Sequence, residues 1–143
     1  MRDDKLHILK RELYRWAKQT LRGTNVKNEQ TQSIIEISTQ GIDEWYSKSK
    51  SEAQIRSILK LKEILAKAVK THESKNIHSD RKNAPSFEYY ECSVEVQEKE
   101  YNAVVSVKLV VAMENERRIY YHHYLDEKNK SSSTLVCQPE YRE

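Results

Sequence analysis

Leu6, Leu9, Leu13, Trp16 and Thr20 recur at steps of three and four, so residues 4–21 are expected to form an amphipathic helix. Lys10, Arg11, Arg15 and Lys18 lie elsewhere around it, Asp3 and Asp4 suit the positive end of its dipole, and Gly23 can stop it. Ile35 and Ile37 share one parity in a β-prone run behind the polar stretch VKNEQTQ, which predicts a hairpin or a single strand within 24–38. GIDEWY follows as a short helix or turn that buries Ile42 and Trp45. From Ser51, a plausible N-cap, to Thr71 the apolar stripe Ile55, Ile58, Leu61, Leu65 and Ala68 predicts a long helix with Arg56, Lys60, Lys67 and Lys70 outside. Residues 72–86 are polar, contain Pro85 and are expected to be a loop.

From Phe87 the period becomes two. Tyr90, Cys92, Val94 and Val96 share a face against Tyr89, Glu91, Ser93 and Glu95. A second run keeps Ala103, Val105, Val107, Leu109 and Val111 in phase. A third places Ile119, Tyr121, His123 and Leu125 opposite Tyr120, His122 and Tyr124. A last strand, roughly STLVCQ, is expected after the polar 126–132 loop. The expected fold is α+β: N-terminal helices on one face of a C-terminal antiparallel sheet, a meander of about four strands, with the short strand or hairpin near 24–38 added.

Length adds that one core is the expectation, so 1–143 reads as a single domain, with the last strand and a tail in 128–143. No run nears the roughly 18 apolar residues of a membrane span, and the N-terminus alternates charged with apolar residues, so a cytoplasmic chain without membrane attachment is expected. Cys92 and Cys137 lack metal-ligand spacing and read as reduced thiols; no cofactor or metal motif appears. Charge changes the picture more. Residues 1–83 hold 18 lysines and arginines against 11 acids, a net of +7, whereas 84–143 hold 7 against 11, a net of −4. A basic helical half suits a polyanionic partner, RNA or an acidic protein, although a solvated helix face accounts for it equally well.

Four short elements carry a family resemblance: Val26-Lys27-Asn28-Glu29-Gln30-Thr31, Ile35-Glu36-Ile37-Ser38, Gly41-Ile42-Asp43-Glu44-Trp45 and Tyr121-His122-His123. Over about residues 24–127 the chain resembles the large polyvalent protein-associated domains of phages and mobile elements, which are similar in turn to the barnase/EndoU/colicin/RelE-like ribonucleases. Many such relatives have a glycine after the threonine and a lysine after the Gly-Ile step. Here Gln32 and Asp43 stand there.

The resemblance implies an accessory domain, a weak or degenerate metal-independent RNA endonuclease. Such an enzyme needs a base, an acid and a cation or donor at the phosphate. Strand parity offers His122, Tyr120, Glu91 and Lys108, with Ser106 nearby, as that constellation, and Tyr89 and Tyr124 as rings for stacking on unpaired bases. Arg117 and Arg118 could clamp phosphate, but local ion pairing with Glu114 and Glu116 is the favoured use. The plainer reading of the Tyr-His run is cross-strand packing, with His123 in the core. His72 and His78 have no third ligand at metal spacing. The alternative function is a non-enzymatic nucleic-acid- or protein-binding module working through the basic helices, with Lys60 and Lys67 as contacts.

Overall fold

The computed structural model describes residues 3–74 and 86–127. Helix α1 (Asp3–Thr20) leads into a hairpin of β1 (Asn25–Lys27) and β2 (Ile34–Glu36). Then come α2 (Thr39–Lys48), α3 (Glu52–Arg56), a 3₁₀ segment (Ser57–Lys60), α4 (Leu61–Lys67) and strands β3 (Val69–Ser74), β4 (Ser86–Val96), β5 (Lys99–Ala112) and β6 (Asn115–Glu127). The six strands form one sheet in the order β1-β2-β6-β5-β4-β3. All neighbours run antiparallel except β2 and β6, which pair in parallel through Ile35 with Arg118 and Glu36 with Ile119. The class is α+β, with the helices on one face. The strand expected at STLVCQ, Cys137 and His78 lie outside the described residues.

The helical stripe predicted from Ser51 onward is real, since Ile55, Ile58, Leu61, Leu65 and Ala68 are all buried. Ser51 caps it, accepting a hydrogen bond from the Gln54 amide at 3.1 Å. Two features depart from one uninterrupted helix. The Ser57 hydroxyl donates to the Gln54 carbonyl at 2.6 Å, competing with the regular backbone bond, and the chain tightens to 3₁₀ geometry at that point. The helix then ends at Lys67 rather than Thr71, because Asn28 Nδ2 takes the Leu65 and Ala68 carbonyls, each at 2.8 Å. Val69 and Thr71, β-branched, begin β3 instead, so His72 belongs to a strand and not to a loop.

Asn28 and Thr31 hold the hairpin connection. Asn28 is fully buried, and its Oδ1 accepts from the Thr31 amide at 2.9 Å and the Thr31 hydroxyl at 3.0 Å. One side chain thus fastens the turn to itself and to the end of α4. Gln32, next in line, has φ 65°, a left-handed conformation that favours glycine. The glycine of the resembling proteins therefore has a backbone reason. Gln32→Gly should stabilise this chain by about 0.5 kcal/mol, the relieved strain outweighing the added freedom of the unfolded chain. Urea unfolding checks this; a loss above about 1 kcal/mol would mean that the exposed bond from Gln32 Nε2 to the Glu29 carbonyl carries the turn.

The parity read from β4 and β5 holds: Tyr90, Val94, Val96, Ala103, Val105 and Val107 are buried against the helices. In β6 it fails. Ser106 pairs with His122 but Val107 pairs with Tyr120, so Tyr121 is an extra residue in a β-bulge. The insertion puts Tyr120, His123 and Leu125 on the core side, opposite Val107, Val105 and Ala103. It leaves Ile119, Tyr121, His122 and Tyr124 with Lys108, Ser106 and Val104 on the other side.

Short β2 covers only the start of β6. Further along, Gln54 takes over: its Nε2 donates to the His123 carbonyl at 2.8 Å and its Oε1 accepts from the Leu125 amide at 2.9 Å. The helices meet the sheet through Ile42, Trp45, Ile58, Leu61, Ile64 and Leu65, all essentially inaccessible. The Trp45 indole N–H donates to the Gln54 carbonyl at 3.1 Å, which satisfies the buried ring.

Candidate functional site

The face of the sheet away from the helices carries rings and hydrogen-bonding groups from four strands. His72 of β3 stacks on Tyr89 of β4, with ring centroids 4.5 Å apart and planes at 17°. Phe87 meets Tyr121 edge to face at 5.3 Å, and Lys108 Nζ lies 5.7 Å from the Tyr121 centroid. His122 and Tyr124 lie 6.5 Å apart, and the Tyr124 ring is exposed. Glu91 accepts from Asn102 Nδ2 at 2.9 Å on the same face. Five of the sequence candidates, Tyr89, Glu91, Lys108, His122 and Tyr124, thus come together.

The other candidates do not join them. Tyr120 was expected on this face, but the bulge turns it into the core, where it is fully buried. Its hydroxyl donates to His123 Nδ1 at 2.6 Å, and His123 Nε2 lies 2.7 Å from Ser57 Oγ. Since Ser57 gives its own proton to the Gln54 carbonyl, Nε2 is the protonated nitrogen of His123. Burial first, and the neighbouring His122 second, push the His123 pKa down to about 3, and burial pushes Tyr120 upward. Both are neutral structural groups, as the core reading of His123 anticipated.

Arg117 spans to β2 and grips Glu36 with two bonds of 2.6 and 3.0 Å, while Arg118 faces the helix side and binds Glu88. Both are ion-paired, though chiefly with acids of other strands rather than of their own turn; only the 3.5 Å contact of Arg118 with Glu116 is local. Lys60 and Lys67 sit on the helical layer, and Lys67 pairs with Glu29 at 3.1 Å.

Helix α2 supplies what strand alternation could not reveal. Gly41 lies against the Tyr120 carbonyl and ring, so the helix runs hard against β6. From there Gln40 Oε1 accepts from Lys108 Nζ at 3.1 Å. One turn on, Glu44 and Lys48 form an ion pair at 3.1 Å, and Glu44 Oε1 is buried without an aligned hydrogen-bond donor. Their charges reach His122. Burial lowers its pKa first, Lys48 lowers it further and Glu44 pulls the other way, with a net shift below the ordinary histidine value. The ring is half-buried, and its Nδ1 is enclosed with no hydrogen-bond partner. The signal in the sequence was the Glu44–Lys48 spacing of four on a helix, but nothing local says which strand that pair faces.

Among the described residues no group of three or more His, Cys, Asp and Glu side chains is placed to hold a metal ion, and no helix is long and apolar enough to cross a membrane. Searches of curated proteins and of solved structures find no match. The family model of large polyvalent protein-associated domain 3 does match, over residues 4–120, which takes in all the helices, the β1–β2 hairpin and the sheet as far as Tyr120; the chain belongs to that family.

Proposed function

We propose that this polyvalent-protein-associated domain is the accessory domain of a phage or mobile-element protein, with a ribonuclease-like sheet that takes up single-stranded RNA and cleaves it slowly without a metal. The observation that carries the reading is the environment of His122. A neutral imidazole with an enclosed, unpartnered Nδ1 lies within electrostatic reach of the Glu44 carboxylate, whose Oε1 pairs with Lys48 at 3.1 Å. A modest closure would let Nδ1–H donate to Glu44 and leave Nε2 as the base for a ribose 2′-hydroxyl, an orienting arrangement that is often loose before substrate binds. Lys48 and Lys108 would face the phosphoryl oxygens, and Tyr89, Tyr121 and Tyr124 would stack on unpaired bases.

The test is cleavage of a single-stranded RNA in EDTA. The parent should cleave, and His122→Ala should lower the rate by on the order of a hundredfold. Because the His122 pKa lies below its ordinary value of 6.5, the rate should hold through neutral pH and fall only under more acidic conditions. A parent without activity would refute the enzyme. The withdrawal of Tyr120 and the pairing of Arg117 and Arg118 favour a second reading, in which the same face binds RNA without cutting it. Affinity for RNA in a parent that leaves it intact would support that reading.

A further inference from the structure

A groove of about 440 Å³ lies between α1 and α2, and none of the residues proposed for the His122 face lines it. Arg11, Arg15, Lys18 and Arg22 follow one another at steps of four, three and four, so they form a single stripe along α1 and the turn after it. Among the described residues none of the four makes an ion pair. The other described arginines, Arg56, Arg117 and Arg118, each have an acidic partner, whereas the three arginines of the stripe do not.

Two rings, Tyr14 of α1 and Tyr46 of α2, also line the groove. Tyr14 and Tyr46 lie 4.3 Å apart at 34°, with Lys18 Nζ 5.1 Å from the Tyr14 centroid and Lys10 Nζ 5.0 Å from that of Tyr46. Asp43, the acid beside them, accepts the Tyr14 hydroxyl at 2.6 Å and so holds that ring in place.

We infer that this groove is a second polyanion site, built for the phosphodiester backbone of a nucleic acid. Arg11, Arg15 and Lys18 span about 10 Å of helix with Arg22 in the turn beyond, and a nucleic-acid strand carries a phosphate about every 3.4 Å of duplex axis, so several phosphates fit alongside. Three of the four are arginines, whose planar forks match phosphate oxygens in pairs, and the tyrosine pair offers a stacking surface. An acidic peptide would use the cations but not the rings. The inference does not depend on RNA cleavage: it uses no residue of the His122 face.

The test is fluorescence anisotropy on the full chain with three labelled probes of equal length: 2′-O-methyl RNA, which resists attack through the 2′-oxygen, single-stranded DNA and duplex DNA. The variant carries Arg11→Gln, Arg15→Gln, Lys18→Gln and Arg22→Gln together, its fold checked by circular dichroism. The parent should bind at low salt. The variant should bind at least about tenfold more weakly, and the slope of log affinity against log salt should flatten by about 0.7 per cation removed on single strands. Lys108→Gln, which removes a cation of the sheet face, should flatten that slope by no more than about 0.7, far less than the fourfold variant, which separates this site from the sheet face. Which probe binds tightest identifies the nucleic acid. The inference is overturned if the parent binds none of the probes, if the fourfold variant keeps the parent's affinity and salt slope, or if polyglutamate competes as well as the oligonucleotides.

Discussion

Replacing Glu88 by alanine is expected to destabilise the fold by about 3–5 kcal/mol, the loss that follows when one partner of a buried ion cluster is removed. Glu88 lies on the core face of β4 and is only 1% exposed. All its acceptor positions are engaged: Oε1 with the Tyr90 hydroxyl at 2.9 Å and Arg118 Nε at 3.0 Å, Oε2 with Arg118 Nη2 at 3.2 Å and Lys70 Nζ at 3.3 Å. Burial pulls its pKa upward, but the bonds from Arg118 and Tyr90 and the charge of Lys70 outweigh it, so the carboxyl lies below its usual range. Alanine would leave a guanidinium and an ammonium together with nothing to neutralise them except Glu116 and Glu73 at the rim.

Three comparisons make the prediction specific. Glu88→Gln keeps the shape and should lose less. Glu88→Leu combined with Arg118→Met removes both charges and should recover much of the loss. The pH dependence has a definite sign: a carboxylate whose folded pKa is depressed contributes its full stability above the unfolded value of about 4.3 and loses it as pH falls through the lower folded value. Glu88→Ala should show a smaller acid loss than the parent, with the part due to Glu36 and Glu52, also depressed, remaining. Urea unfolding at neutral pH with a cost under about 1 kcal/mol would mean that water reaches the cluster.

The second large effect is expected at Gly41, where two principles point in opposite directions. Alanine is the better helix former by about 1 kcal/mol, and position 41 is inside α2. But a Cβ there would come within 2.5 Å of Tyr120 Cδ2 and 2.9 Å of Cε2, and closer still to the Tyr120 carbonyl oxygen, which as backbone has nowhere to go. Overpacking of that kind costs about 3 kcal/mol, so the clash wins and Gly41→Ala should destabilise by about 2 kcal/mol net. Thermal unfolding would register this as a fall of roughly 5–10 °C. A melting point equal to or above that of the parent would show that α2 slides freely over β6. The displacement should also carry Glu44 and Lys48 away from His122, so the RNA cleavage proposed for that face should drop further than the stability loss explains.

How far the fold could be read in advance depended on whether each residue's role was local. The faces of β4 and β5 were legible because every residue alternates without interruption and two-residue turns separate the strands. The bulge in β6 was not, since neither glycine nor proline marks it; Tyr-Tyr-His-His supports either phase, and only the pairing with β5 chooses. Val69 to Thr71 continued a helical spacing, and what overrode it was a distant asparagine taking the last helix carbonyls. The same holds for the site. His122, Tyr89, Tyr124 and Lys108 followed from alternation, whereas Glu44 and Lys48 come from an element 75 residues or so away in the chain, whose side against β6 is set by one glycine.

Gln54 has a consequence for how this protein behaves in a crowd. An unpaired strand edge invites other chains to add a strand, the first step in many aggregation routes. Beyond the end of β2, the Gln54 carboxamide gives β6 one donor and one acceptor, the same pair of bonds that a neighbouring strand would offer. A side chain therefore occupies the place where a foreign backbone would dock. Strand addition to this sheet is turned away from its middle and left to β1 and β3, at the two margins.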